Sequence, residues 1–113
     1  MTARRVLTAA VLLFANFSVF AADATDLVRK ALIADQAFGP TTERCLRYTN
    51  EGEDRSWSQG VFVIVAVRAV CGGGDTAGLV GRFLVDQKTG DLYWFDHADY
   101  KLVPYNSWLR TSR

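Results

Sequence analysis

The chain has 113 residues, with thirteen basic side chains, twelve acidic ones, a single histidine and a formal net charge of +1. That balance argues against a nucleic-acid binder, which carries a basic excess, and gives no reason to expect adsorption to an anionic membrane. The length allows one small domain.

Met1-Thr2-Ala3-Arg4-Arg5 is a basic start, and Val6 to Phe20 is an apolar segment broken by Thr8, Asn16 and Ser18. Small residues follow at Ala21, Ala22 and Ala24. This order predicts a secretory signal peptide over residues 1–22, with cleavage near 21–24, and one α+β domain over 23–113. A membrane anchor is the competing reading, but the segment is short beside the roughly 20 apolar residues of a span. No cysteine follows the segment to carry a lipid. After removal of Arg4 and Arg5, eleven basic side chains face twelve acidic ones, and the mature chain is periplasmic or secreted with no membrane insertion expected.

Asp23 to Phe38 predicts a helix, with Leu27, Ala31, Ala34 and Phe38 at helical spacing and Val28 and Leu32 widening the stripe. Asp23 or Thr25 caps its start, and Gly39-Pro40 stops it. Glu43 to Asn50 is a first strand, and Glu51 to Gln59 is a polar loop that contains Trp57.

Gly60 to Cys71 is a β-branched run with Arg68 as its one charge, and it reads as a central strand. Val61, Val63, Val65 and Val67 occupy one face, and Phe62, Ile64 and Ala66 the other, so both faces need cover. The turn Gly72-Gly73-Gly74-Asp75-Thr76 leads to a third strand, Ala77 to Asp86. Gln87-Lys88-Thr89-Gly90 then turns into a fourth, Asp91 to Asp96. Pairing sets Val85 against Leu92, Phe83 against Trp94 and Leu84 against Tyr93. Pro104 suits an extended tail entering a short turn or helix through Tyr105 to Arg110. The predicted architecture is α+β: an N-terminal helix on a four-stranded antiparallel meander with an aromatic tail. A half-open barrel of the same strands is the alternative. The second sheet face is left to the tail, to a partner or second copy of the chain, or to sheet curvature.

Cys45 and Cys71 predict a disulfide in an exported chain. Closing a loop of about 27 residues contributes roughly 3–4 kcal/mol on the chain-entropy model. If the two cysteines face one another across the first hairpin, Arg47 lies opposite Ala69 and Thr49 opposite Val67.

No catalytic, metal or cofactor constellation is expected. Two cysteines and His97 fall short of a four-ligand zinc set. His97 between Asp96 and Asp99 suggests a general base, but strand neighbours point to opposite faces and no activated serine accompanies it. The glycine turn lacks the lysine and following helix of a phosphate loop. Glu51, Glu53 and Asp54 lack the order of a calcium loop and read as solvated charge. Trp57 stands out, because a tryptophan beside Arg55 among polar residues is the chemistry of an interface anchor. Trp57, Arg55, Asp54 and Asp75 are therefore the candidate partner-binding residues, with a loop tryptophan folded over the core as the alternative.

In format the chain resembles small periplasmic lysozyme inhibitors and effector-immunity proteins: a signal peptide, about 90 mature residues, one disulfide and β-richness. That resemblance implies a protein partner, a cell-wall hydrolase or a secreted effector. The hairpin Phe83-Leu84-Val85-Asp86-Gln87-Lys88-Thr89-Gly90-Asp91-Leu92-Tyr93 is similar to the last hairpin of PepSY-type domains, which implies an accessory role in the cell envelope. A small hydrolase is the third class.

Overall fold

The computed structural model describes residues 21–39, 42–71 and 78–112. The apolar segment before Ala21 and the turn carrying Asp75 lie outside the described residues. The elements are helix α1 (Ala21–Ala34), the single turn α2 (Thr42–Cys45), β1 (Leu46–Trp57), β2 (Gly60–Ala69), β3 (Gly78–Asp86), β4 (Leu92–Asp96), β5 (Lys101–Pro104) and helix α3 (Tyr105–Ser112). The strands form one antiparallel meander in chain order, β1-β2-β3-β4-β5. The class is α+β, but with five strands where four are expected. The fifth comes from four tail residues ending in Pro104, which the sheet tolerates because β5 is an edge strand.

Helix α1 stops earlier than Phe38. Gln36, with φ 46°, reverses the chain in a Schellman arrangement: the Ala37 N–H donates to the Leu32 carbonyl (3.0 Å) and the Gln36 N–H to that of Ile33 (3.1 Å). Its buried stripe is also rotated from the expected one. Ala24, Val28 and Leu32 are fully buried, whereas Ala34 is exposed and Leu27 is 40% exposed.

These three residues pack on Val63, Val65 and Val67 of β2 and Phe83 and Val85 of β3, joined by Tyr105 and Trp108 of α3. Both helices therefore cover the same sheet face, and the tail helix does not cross to the other. The Tyr105 hydroxyl ties α3 to α1, donating to the Asp35 carboxylate at 2.7 Å beside the Ala31 carbonyl. Trp94 and Trp108 stack at 4.9 Å, and Phe83 meets both edge-on at 5.2 Å. Gly81 makes this stack possible. A Cβ there would lie 2.3 Å from Cη2 of Trp94.

Cys45 and Cys71 are bonded, Cα to Cα 4.9 Å, but outside the ladder. Cys45 ends α2, Cys71 lies beyond β2, and the Val70 N–H donates to the Cys45 carbonyl at 2.7 Å. The strand register is therefore free to follow burial. Arg47 pairs with Arg68 and Thr49 with Ala66, one residue away from the expected register. A one-residue slip exchanges faces, and the observed one turns Leu46 and Tyr48 onto the helix side and Arg47 and Thr49 away from it. Tyr48 carries a cost: its hydroxyl is buried without a partner among the described residues, and burial pushes its phenol above the ordinary range.

The polar segment expected as a loop is instead strand to Trp57, with a turn at Ser58-Gln59. A bulge between Asn50 and Gly52 shifts the register by one. Gly52 adopts φ 98° there and donates its N–H to the Asn50 side chain at 2.7 Å. The β3–β4 hairpin matches expectation, with Phe83 on Trp94, Leu84 on Tyr93, Val85 on Leu92 and a positive φ at Gly90.

A candidate binding groove on the open sheet face

The sheet face away from the helices carries Phe62, Ile64 and Ala66 of β2 and Leu84 of β3, register partners across the strands or neighbours along them. Phe62, Leu84 and Ala66 are essentially inaccessible although none of the described helices lies over them. Side chains from the strand ends cover this face, and two local turns place them.

The first turn closes β1. Asp54 faces this side as the partner of Phe62. Its Oδ1 accepts the Ser56 N–H (3.0 Å) and hydroxyl (2.6 Å), and its Oδ2 accepts the Trp57 indole N–H at 2.8 Å. Burial works to raise this carboxyl. The hydrogen bonds from Ser56 and Trp57 outweigh it and hold the group below the ordinary carboxylate range. The network fixes the indole at half burial and aims it inward.

The second turn joins β4 to β5. Asp96 Oδ1 accepts the N–H groups of Ala98 (3.0 Å) and Asp99 (3.2 Å), and Tyr100 takes φ 51°. This brings the Tyr100 ring flat on Trp57, centroids 5.4 Å apart at 20°. Phe95 meets Trp57 edge-on at 6.0 Å, Tyr100 at 5.4 Å and the His97 ring at 4.4 Å. In a flat sheet, β1 and β4 lie about 14 Å apart. The rings meet because the twisted sheet coils and the side chains lean together.

The result is a groove of about 260 Å³. Ile64 and Leu84 form its floor, Trp57, Phe95 and Tyr100 its aromatic wall, and Asp54, Arg82 and His97 its polar rim. Beside it, Glu51 accepts from Arg82 Nε at 2.6 Å and lies 3.7 Å from Arg68 Nη2. The Arg82 hydrogen bond, with the charge of both guanidiniums, holds the Glu51 carboxyl below its ordinary range against the opposing effect of burial.

Of the expected partner-binding residues, the fold brings Trp57 and Asp54 together. Arg55 does not join them; it pairs at 3.0 Å with Glu53, both exposed to solvent. Asp75 lies outside the described residues. The three carboxylates expected as one solvated cluster are dispersed: Glu51 to the arginines, Glu53 to Arg55 and Gln87, Asp54 to Ser56 and Trp57. His97 reaches the groove, but the Asp96 carboxylate beside it is engaged by backbone N–H groups and Asp99 faces Lys101 at 4.0 Å. Sequence reading missed Tyr100, Arg82 and the role of Phe95. For Phe95 and Arg82 a signal exists: both share strand parity with Leu84's face, Phe95 two residues beyond Tyr93 and Arg82 two before Leu84.

Among the described residues no helix is long and apolar enough to cross a membrane. Comparison with models of protein families, with curated proteins and with solved structures finds no match to this chain.

Proposed function

We propose that this protein is a small exported binding protein that recognises another protein through the open-face groove, as an inhibitor or immunity protein blocking a cell-wall hydrolase or secreted effector. One observation carries the reading. Trp57 is fixed by its hydrogen bond to Asp54 and stacked on Tyr100 over an apolar floor, so an aromatic anchor is pre-organised on a sheet face that neither helix covers. Rigid aromatic side chains at the rim of an apolar pocket dominate protein interfaces. The N-terminal pattern supports an exported compartment, and the formed disulfide is consistent with an oxidising one. The reading assigns the protein binding without catalysis, and a metal or cofactor plays no part in it.

The test uses purified secreted cell-wall hydrolases, including lysozymes of several types, assayed with an excess of this protein. Tyr100 is 66% exposed, so Tyr100→Ala removes the outer ring with little effect on the core. The expected result is inhibition of at least one hydrolase that Tyr100→Ala weakens while the thermal midpoint stays in place. Inhibition that survives Tyr100→Ala and Trp57→Ala alike sinks the groove as the contact surface. Full activity across the panel sinks the hydrolase partner.

A further inference from the structure

The open face is segregated by charge. Arg47 and Arg68 are direct partners across β1 and β2, and Arg68 and Arg82 flank the same Glu51. Like charges directly opposite in an antiparallel pair destabilise a sheet. Only one carboxylate among the described residues offsets the three guanidiniums, and it favours Arg82. Arg47 is exposed and has no ion pair among the described residues. Arg82 donates to Glu51 through Nε and also lines the groove. The carboxylates at the other end of the face are already committed: Asp54 to Ser56 and Trp57, Asp86 to the N–H groups of Lys88 and Thr89. The arginine end thus holds an uncompensated excess of positive charge.

We infer that the partner presents an acidic segment: an aromatic or aliphatic side chain enters the groove while neighbouring carboxylates pair with Arg82, Arg68 and Arg47. This rests on the groove reading above and supplies its partner chemistry. A groove of about 260 Å³ with an apolar floor suits a single large side chain rather than an extended lipid surface. Guanidinium groups bind carboxylates through paired N–H donors. Arg82 and Arg47 stand two strands apart and two residues out of line along them, about 12 Å. An extended peptide spans that distance in about four residues, so the carboxylates belong within four positions of the anchor.

The experiment measures fluorescence anisotropy of short labelled peptides with the full chain. Each peptide has one central tryptophan or leucine, flanked by Asp/Glu, by Ser/Asn or by Lys. The acidic set binds about tenfold or more tighter than the neutral set at about 0.1 M salt, and the advantage shrinks at about 1 M. Arg47→Gln reduces it, and Arg47→Gln with Arg68→Gln together removes most of it; both keep the Glu51–Arg82 pair. Tyr100→Ala weakens acidic and neutral peptides alike. Equal affinity for acidic and neutral peptides, still sensitive to Tyr100→Ala, overturns the acidic partner and leaves the groove standing. Arginine-dependent acid preference indifferent to Tyr100→Ala overturns the groove and keeps the charge site. Preference for the lysine set, or no binding by any set, overturns the inference.

Discussion

The two faces of the sheet carry similar apolar content and solve the problem of covering it in different ways. On the helix face, Ala24, Val28, Leu32, Tyr105 and Trp108 close over valines and Phe83, and the layer is a continuous core. On the other face, Phe62 and Leu84 are as deeply buried, yet their cover is a few side chains from strand ends and turns, tied by hydrogen bonds rather than by a packed element. The difference shows how a small domain can leave one sheet face without a packed layer over it. A face closed by a helix is committed to stability, whereas one closed by aromatic side chains keeps a groove.

The sharpest way to break this comparison is to truncate one tryptophan on each side. Trp108 is 8% exposed and contacts Phe83, Trp94, Tyr105 and Phe38. Trp108→Ala is expected to lower unfolding free energy by about 3–5 kcal/mol. Trp57→Ala, from a half-buried site, costs about 1–2 kcal/mol. Urea titration of both variants settles the matter, and equal losses would make the open face a second core.

Gly81 tests the same asymmetry from inside the sheet. Gly81→Ala drives Trp94 off its seat and disturbs the stack on Trp108, for a loss of about 1–3 kcal/mol. Near-ultraviolet circular dichroism should show the change in the paired indoles. An unchanged spectrum with full stability would mean the sheet yields there more easily than the packing implies.

The smallest expected effect is electrostatic and belongs to the open face. The Glu51 carboxyl is held below its ordinary range, chiefly by its hydrogen bond from Arg82. A depressed folded-state pKa stabilises at pH above the unfolded value, about 4.3, and that contribution disappears as pH falls through the folded value. Glu51→Gln should therefore cost up to about 1 kcal/mol at pH 7, and the gap to the parent protein should close on acidification. A gap that stays constant with pH would mean packing, not charge, explains it.

Much of this fold was legible because its determinants are local. The β3–β4 hairpin follows from a glycine-bearing turn flanked by matched aromatic and β-branched positions, and the two-faced character of β2 follows from alternation. Register in the first hairpin was not, because it was tied to the cysteines facing one another. Burial of Leu46 and Tyr48 prevailed, and the disulfide stepped outside the ladder. The charged residues of β1 suggested a loop, and only a bulge lets them remain in an edge strand with each carboxylate turned to its own partner. Trp57 and Asp54 could be singled out from composition. The groove could not, since Tyr100 meets Trp57 only through sheet coiling across three strands, and no short-range pattern carries that contact.

The position of the disulfide has a mechanical meaning. Because it bridges the two roots of the β1–β2 hairpin, tension applied to the ends of the chain passes through sulfur and bypasses every residue between. The bridged residues are 26 apart, so a fully stretched oxidised chain is shorter than the reduced one by about 80–90 Å. The hairpin that presents Asp54 and Trp57 is thus a covalent side loop, shielded from pulling on the rest of the chain.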